Sequence, residues 1–232
     1  MAQEKNDKKN RIINAAIDLY VNDPSAFTLK NIAKKARVKE ADIFKDFPNK
    51  IAILKGYYAG IVPQYKEMIR EIDGFELFDL HEKLSNFVYS SLDMMQEQRD
   101  FVEKTFNGFI YNARPKSAFQ SHIEELVEDF VQKDTRIAGM NQYLLNAYTY
   151  NVLSNFYLQL VIFWIRDESP GSEKTIALTD KLSSFLSEVL YSAIIDKGLD
   201  LGKFLVANRN TQPNSPFWQA CVEQFKEKGM YK

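Results

Sequence analysis

Residues 11–54 read RIINAAIDLYVNDPSAFTLKNIAKKARVKEADIFKDFPNKIAIL, and this stretch decides the fold. Ile12, Ile13, Ala16, Leu19 and Tyr20 recur at helical spacing and predict an amphipathic helix from about Lys8 to Val21. Asn22-Asp23-Pro24-Ser25 ends it. Thr28 stands where an N-cap belongs, ahead of Leu29, Ile32, Ala33 and Ala36. Arg37-Val38-Lys39 is a turn. A short helix follows from Glu40 to about Asp46, with Ile43 and Phe47 facing inward and Val38 joining them from the turn. Phe47-Pro48-Asn49-Lys50 punctuates again, and a fourth helix begins with Ile51, Ile53 and Leu54. A capped helix, a tight turn and a short second helix make a helix-turn-helix, whose second helix enters the major groove of DNA.

Beyond this head the periodicity stays helical. Pro63 predicts a kink or break in or just after the fourth helix. Leu80, Leu84, Phe87, Val88, Leu92 and Met95 trace one helix face, and Arg99 to Asn112 carries a second apolar face. Pro115 is placed to start a helix running to about Asp134. An aromatic-rich segment spans roughly Ile137 to Arg166. A last long helix covers about Thr175 to Lys197, with Leu178, Leu182, Phe185, Leu186, Val189, Leu190 and Ile194 as its stripe. A polar linker, Asn208 to Ser215, precedes an aromatic patch at Phe217-Trp218. Strand-like alternation and internal repeats do not appear, so the fold class is all-α.

Composition narrows the chemistry. The 232 residues are 45% hydrophobic, with 9 Gly and 7 Pro, enough for a sizeable helical core. One cysteine, Cys221, and two histidines, His81 and His122, are too few for a Cys/His zinc site, so no metal or cofactor is expected. The first ten residues lack the apolar run of a secretory signal. The stretch Leu158 to Ile165 falls far short of a membrane span, so a cytoplasmic protein without membrane contact is expected. The net charge of −1 is uneven. Residues 1–50 carry 11 Lys/Arg against 7 Asp/Glu, and the remaining 182 carry 19 against 24. A basic head on an acidic body suits a head that meets phosphates. Glu124, Glu125, Glu128 and Asp129 cluster on one helix as a solvated face. With no phosphate loop and no nucleophile set in a recognisable context, an enzyme is not expected.

Residues 11–54 resemble the DNA-binding head of the tetracycline-repressor family of bacterial regulators. The likeness lies in Arg11-Ile12-Ile13 with Ala15-Ala16 and Leu19-Tyr20, in Thr28, Ile32-Ala33 and Ala36-x-Val38, and in Ile43-Phe44, Phe47, Lys50 and Leu54. The resemblance implies an all-helical homodimer. Residues 1–54 would be the DNA-binding domain, and 55–232 an effector-binding and dimerisation domain. Thr28 would cap the second helix beside a phosphate, and Lys50 would reach the DNA backbone from the start of the fourth, with Lys8, Lys9 and Arg11 adding charge on that side. Lys39, Glu40, Ala41, Asp42, Phe44 and Lys45 would face the groove of a palindromic double-stranded operator. Arg37 stands where the family often has glycine, which predicts a positive φ. Phe44 replaces a tyrosine and offers apolar contact to a thymine methyl in place of a hydroxyl. Asp46 takes a position that is often aromatic or histidine.

In such proteins the last two long helices form a four-helix interface with a second copy. The candidates here are 145–166 and 175–197. Phe87, Met94, Phe101, Phe106, Phe109, Tyr143, Tyr148, Phe156 and Trp164 are the candidate lining of a pocket for a small hydrophobic effector. The expected function is therefore a one-component transcriptional regulator, a repressor, controlled by such an effector. A second, shorter likeness favours an alternative. Trp164-Ile165-Arg166-Asp167-Glu168-Ser169-Pro170, with Thr175 and Asp180-Lys181-Leu182, is similar to the lipid-binding accessory proteins of ubiquinone biosynthesis. Those share the fold, hold an isoprenoid or fatty chain and do not read DNA.

Overall fold

A computed structural model describes residues 2–137 and 145–192, with residues 197, 200, 201, 203 and 204. The described residues are helical, without strands, as the periodicity requires. Tyr143, Ile194, the Phe217-Trp218 patch and Cys221 lie outside them.

Helix α1 runs from Ala2 to Asn22, starting well ahead of the predicted Lys8. Asp23 caps the 3-10 turn Pro24–Ala26 by accepting from the Ala26 amide at 3.2 Å. Helix α2 is Leu29–Ala36 and α3 is Glu40–Ile43. The short helix is thus four residues long and closes as a hydrogen-bonded turn, with the Asp46 amide donating to the Ile43 carbonyl at 3.0 Å. Tight 3-10-like closure is how short helices commonly end. Ile12, Ala16, Ile32, Ala36, Ile43 and Phe47 bury one another and fix the three helices as a unit.

Helix α4, Lys50–Met68, leaves the head and enters the body without a break. Pro63 lies inside it and does not end it. The helix packs on α1 at one end and on α5 (Leu80–Gln96) and α7 (Ala118–Gln132) at the other. Tyr58 and Tyr65 are buried and Tyr57 is half-buried, with their hydroxyls bonded into the body. Tyr57 donates to the Met94 carbonyl (3.0 Å), Tyr58 pairs with Thr105 (2.7 Å), and Tyr65 donates to Asn86 (2.9 Å). Burial pushes all three phenols up, so they stay neutral donors.

Helix α6 is Arg99–Phe106, and the chain then widens into a π-helical turn, Asn107–Tyr111. The uniform helix expected to Asn112 is therefore two geometries. Pro115 follows a cis peptide bond and does not start α7; Ser117 does, accepting from the Gln120 amide at 3.2 Å. Helices α8 (Ala147–Ile165) and α9 (Glu173–Tyr191) complete the body. Helix α8 lies on α7, and α9 lies on α5. Glu124 is not a solvated acid. It bonds Asn151 (2.9 Å) and Ser154 (3.1 Å) of α8 and Lys116 (2.5 Å), tying α7 to α8.

Candidate nucleic-acid interface and apolar cleft

Two helix N-termini meet at one corner of the head. Thr28 has extended backbone and accepts from the Asn31 amide at 3.3 Å, capping α2. Asn49 caps α4 in the same way, accepting from the Ala52 amide at 2.8 Å. Lys50 ties the two together. Its Nζ donates to the Phe27 carbonyl (3.2 Å) and lies 4.9 Å from the Phe27 ring centroid. Free backbone amides, two positive dipole ends and an ammonium share this corner, a ready seat for a phosphate.

Beside it runs the α3 segment. Lys39, Glu40, Ala41, Phe44 and Lys45 are exposed, Phe44 to 53%, and Asp42 is half-buried. All eight residues expected to meet DNA therefore lie at or near the surface of the head. Asp42 and Asp46 do not stand alone. Asp42 takes Lys45 at 2.7 Å and Lys8 at 3.7 Å; Asp46 takes Lys9 at 3.4 Å. The Lys45 hydrogen bond, then its charge, hold the Asp42 carboxyl below the usual range, and Asp42 in turn raises Lys45. Lys8 and Lys9, expected to add free positive charge, instead neutralise the reading segment from α1. Sequence spacing gave no sign of these pairs, because Lys8 and Asp42 are far apart along the chain.

Arg37 adopts φ 56°, ψ 47°, the left-handed conformation predicted for it. The Val38 amide reaches the Ala33 carbonyl (3.0 Å) and the Arg37 amide reaches Lys34 (3.3 Å), the Schellman closure that usually employs glycine. Arginine keeps a cation there at a conformational cost of about 1 kcal/mol. Arg37→Gly is accordingly expected to raise the melting temperature by about 2–4 °C in a thermal scan.

The nine residues expected to line an effector pocket do not converge. Phe101 and Phe106 are buried against Tyr58, with ring centroids at 5.7 and 5.8 Å. Trp164 is buried beneath Arg99, whose guanidinium lies 4.6 Å from the ring centroid. Phe109 sits under Lys55, Met94 is half-buried, and Tyr148 is 77% exposed. Tyr143 is outside the described residues. Phe87 and Phe156 alone of the set border a common cleft. It lies between α5, α7, α8 and α9, and Leu84, Val127, Leu160 and Leu186 also line it. Aromatic content marked the core in general; the cleft lining is mostly aliphatic, and periodicity does not separate the two.

Helix α9 also turns differently from expectation. Its buried face is Thr175, Thr179, Ser183 and Ser187, one small hydroxyl residue per turn. The last three donate to the carbonyl four residues back, at 2.8–2.9 Å. The leucines flanking this stripe are half-buried, while Ile176, Phe185 and Val189 are exposed, as are Phe156 and Phe163 of α8. The regular hydroxyl spacing was the available signal. Both ends of α9 are fastened by carboxylates. Asp167 accepts from the Thr175 amide (2.8 Å) and hydroxyl (2.6 Å), and its carboxyl is pulled far down by the Ser169 and Thr175 hydroxyls. At the far end Tyr191 donates to Asp134 at 2.5 Å.

Comparison with known proteins agrees with this architecture. A family model described as "Tetracyclin repressor-like, C-terminal domain" matches residues 83–205, more than half of the chain. The chain is also similar to a Bacillus subtilis (strain 168) protein, the uncharacterized HTH-type transcriptional regulator YvkB. The two are 28% identical over 119 residues, which is 51% of this chain and 57% of that relative. The match thus spans little more than half the relative's length.

Proposed function

The chain belongs to the tetracycline-repressor family, and from that premise we propose that it is a one-component DNA-binding transcriptional regulator, acting as a repressor. Residues 1–54 read DNA, and residues 55–232 bind an apolar effector and pair with a second copy. The division falls within α4, so any shift of the body is passed to the head by one continuous helix.

The observation that carries the reading is the head surface. An exposed α3 segment, with Asp42 and Asp46 already paired, stands beside the Thr28 and Lys50 corner. Thr28, the α2 and α4 amides and Lys50 take phosphates. Lys39, Glu40, Ala41, Asp42, Phe44 and Lys45 face base edges, with Phe44 against a thymine methyl. Equilibrium binding to the duplex upstream of the protein's own gene tests this. With about six phosphates engaged by two heads, log affinity should fall against log salt with a slope of about −5. A slope near zero would remove the reading.

Pairing is supported by the apolar face that α8 and α9 leave open. Phe185→Glu places a charge at its centre and is expected to give a monomer in sedimentation velocity. A dimer that survives this change would exclude α9 from the interface. The segment behind the likeness to lipid-binding accessory proteins has a local account, since Asp167 and Ser169 form the start of α9. No helix among the described residues is long and apolar enough to cross a membrane.

A further inference from the structure

The cleft between α5, α7, α8 and α9 holds about 50 Å³ of free space, against the roughly 300 Å³ or more of a working ligand site. A ligand must therefore displace a wall. Helix α9 is bonded to α5 near both ends, first by the Tyr89 hydroxyl of α5, which donates to Asp180 Oδ1 at 2.5 Å. It meets α5 through small hydroxyl side chains whose hydrogen bonds run back to their own helix. One turn before Tyr89, on the same side of α5, Ser85 has a buried hydroxyl with no partner among the described residues. The second bonded contact is at the C-terminal end. The Tyr191 hydroxyl donates to Asp134 Oδ2 (2.5 Å) and accepts from the Leu80 amide (2.9 Å). Leu80 and Leu190, the neighbour of Tyr191, both line the cleft, so this clasp lies directly behind its end.

We propose that the Tyr191–Asp134 clasp is the entrance to the cleft and sets the class of its ligand: an amphiphile with an apolar body and a hydroxyl or ammonium head. The body fills the widened cleft, and the head takes the place of the Tyr191 hydroxyl on Asp134. The proposal rests on the effector reading above and adds the head-group chemistry to it. Asp134 has a nearly inaccessible side chain, 1% exposed. Arg136 grips both of its oxygens, with Nε at 2.9 Å and Nη2 at 3.0 Å, and also donates to the Phe78 carbonyl (3.2 Å). The guanidinium is thus already engaged. Where Tyr191 leaves, an incoming head finds a carboxylate acceptor that rewards a donor and repels another carboxylate.

Calorimetry on the full chain without DNA, using 1-decanol, decylammonium and decanoate below their micellar concentrations, tests the proposal. Decanol and decylammonium should bind at least about tenfold more tightly than decanoate, the factor that 1.4 kcal/mol gives. Tyr191→Phe, which removes the competing hydroxyl, should tighten decanol by about tenfold. Asp134→Asn should bring the three heads to similar affinity. Amide exchange at Leu80 in the wild-type chain gives a readout independent of whether that variant folds: decanol should accelerate it. Equal affinity for decanol and decanoate, or Leu80 exchange unmoved by bound decanol, would overturn the clasp while leaving the cleft as an effector site. Failure of all three amphiphiles to bind would overturn both. Neither result bears on the duplex-binding slope, which tests the head separately.

Discussion

Phe101→Ala is expected to cost about 3–5 kcal/mol of stability, the range for deleting a buried aromatic ring. In a thermal scan that is a drop of about 10 °C for a chain of this length. The magnitude follows from position. Phe101 is 1% exposed and touches three rings from two helices: Tyr20 of α1 at 6.1 Å, Tyr57 of α4 at 5.5 Å and Tyr58 of α4 at 5.7 Å. No neighbouring side chain is loose enough to fill the void, because Tyr57 and Tyr58 are held by hydrogen bonds to Met94 and Thr105. The same ring joins α6 of the body to α1 of the head through Tyr20, and to α4 just past the head through Tyr57 and Tyr58. The variant should therefore also weaken duplex binding without touching a DNA-facing residue. A melting temperature within 2 °C of wild type would show that the site collapses around the deletion and that Phe101 is no hub. The conservative partner is Tyr58→Phe, which keeps the ring and loses the Thr105 bond, and it should cost about 1 kcal/mol.

The parts of this architecture that local chemistry controls were legible in the sequence. Thr28 as a cap, Arg37 at a left-handed position, and Ile43 with Phe47 under the reading segment all depend on neighbours within a few residues. The ends of the elements were less so. The early start of α1 and the four-residue length of α3 are decided by backbone hydrogen bonds that side-chain pattern does not encode, whereas the cap at Ser117 is a side-chain signal that the nearby Pro115 obscured. The cleft was the least legible. Phe101, Phe106 and Trp164 satisfied every sequence criterion for a pocket wall, yet each is filled against by another side chain. Whether an aromatic ring faces space or a neighbour depends on long-range packing. The hydroxyl stripe of α9 shows the same limit from the other side. A helix with a strong leucine pattern buries Thr175, Thr179, Ser183 and Ser187 against α5 and leaves part of its apolar face open. That choice makes physical sense when a second copy covers the open face, a circumstance no single-chain pattern records.

The double substitution Asp42→Asn with Asp46→Asn is expected to tighten duplex binding about 100-fold at 0.1 M salt. Asp42 now holds Lys45 and Lys8, and Asp46 holds Lys9. In the free head these pairs leave the reading segment close to neutral, so the lysines are bound to carboxylates when phosphates arrive. Transfer of a lysine to DNA then releases a condensed counterion but breaks an ion pair, and the gain is small. With asparagine at both positions, three ammonium groups per head come free and two negative charges leave the groove-facing side. Each additional phosphate contact is worth about 0.9 in the salt slope, close to one decade of affinity at 0.1 M salt. Two or three such contacts give the hundredfold figure and steepen the slope by about 2 to 3. These pairs are only partly exposed, the Asp46 side chain to 8%, but each carries a solvent-facing lysine, so the melting temperature should move by no more than a few degrees. The gain should be as large on random duplex as on the operator, because phosphates carry no sequence. The wild-type pairs would then act as a brake on non-specific binding, leaving Phe44 and Ala41 a greater share of the discrimination. An unchanged slope in the double variant would mean that Lys8, Lys9 and Lys45 never reach the duplex, and the head would depend on the Thr28 and Lys50 corner alone.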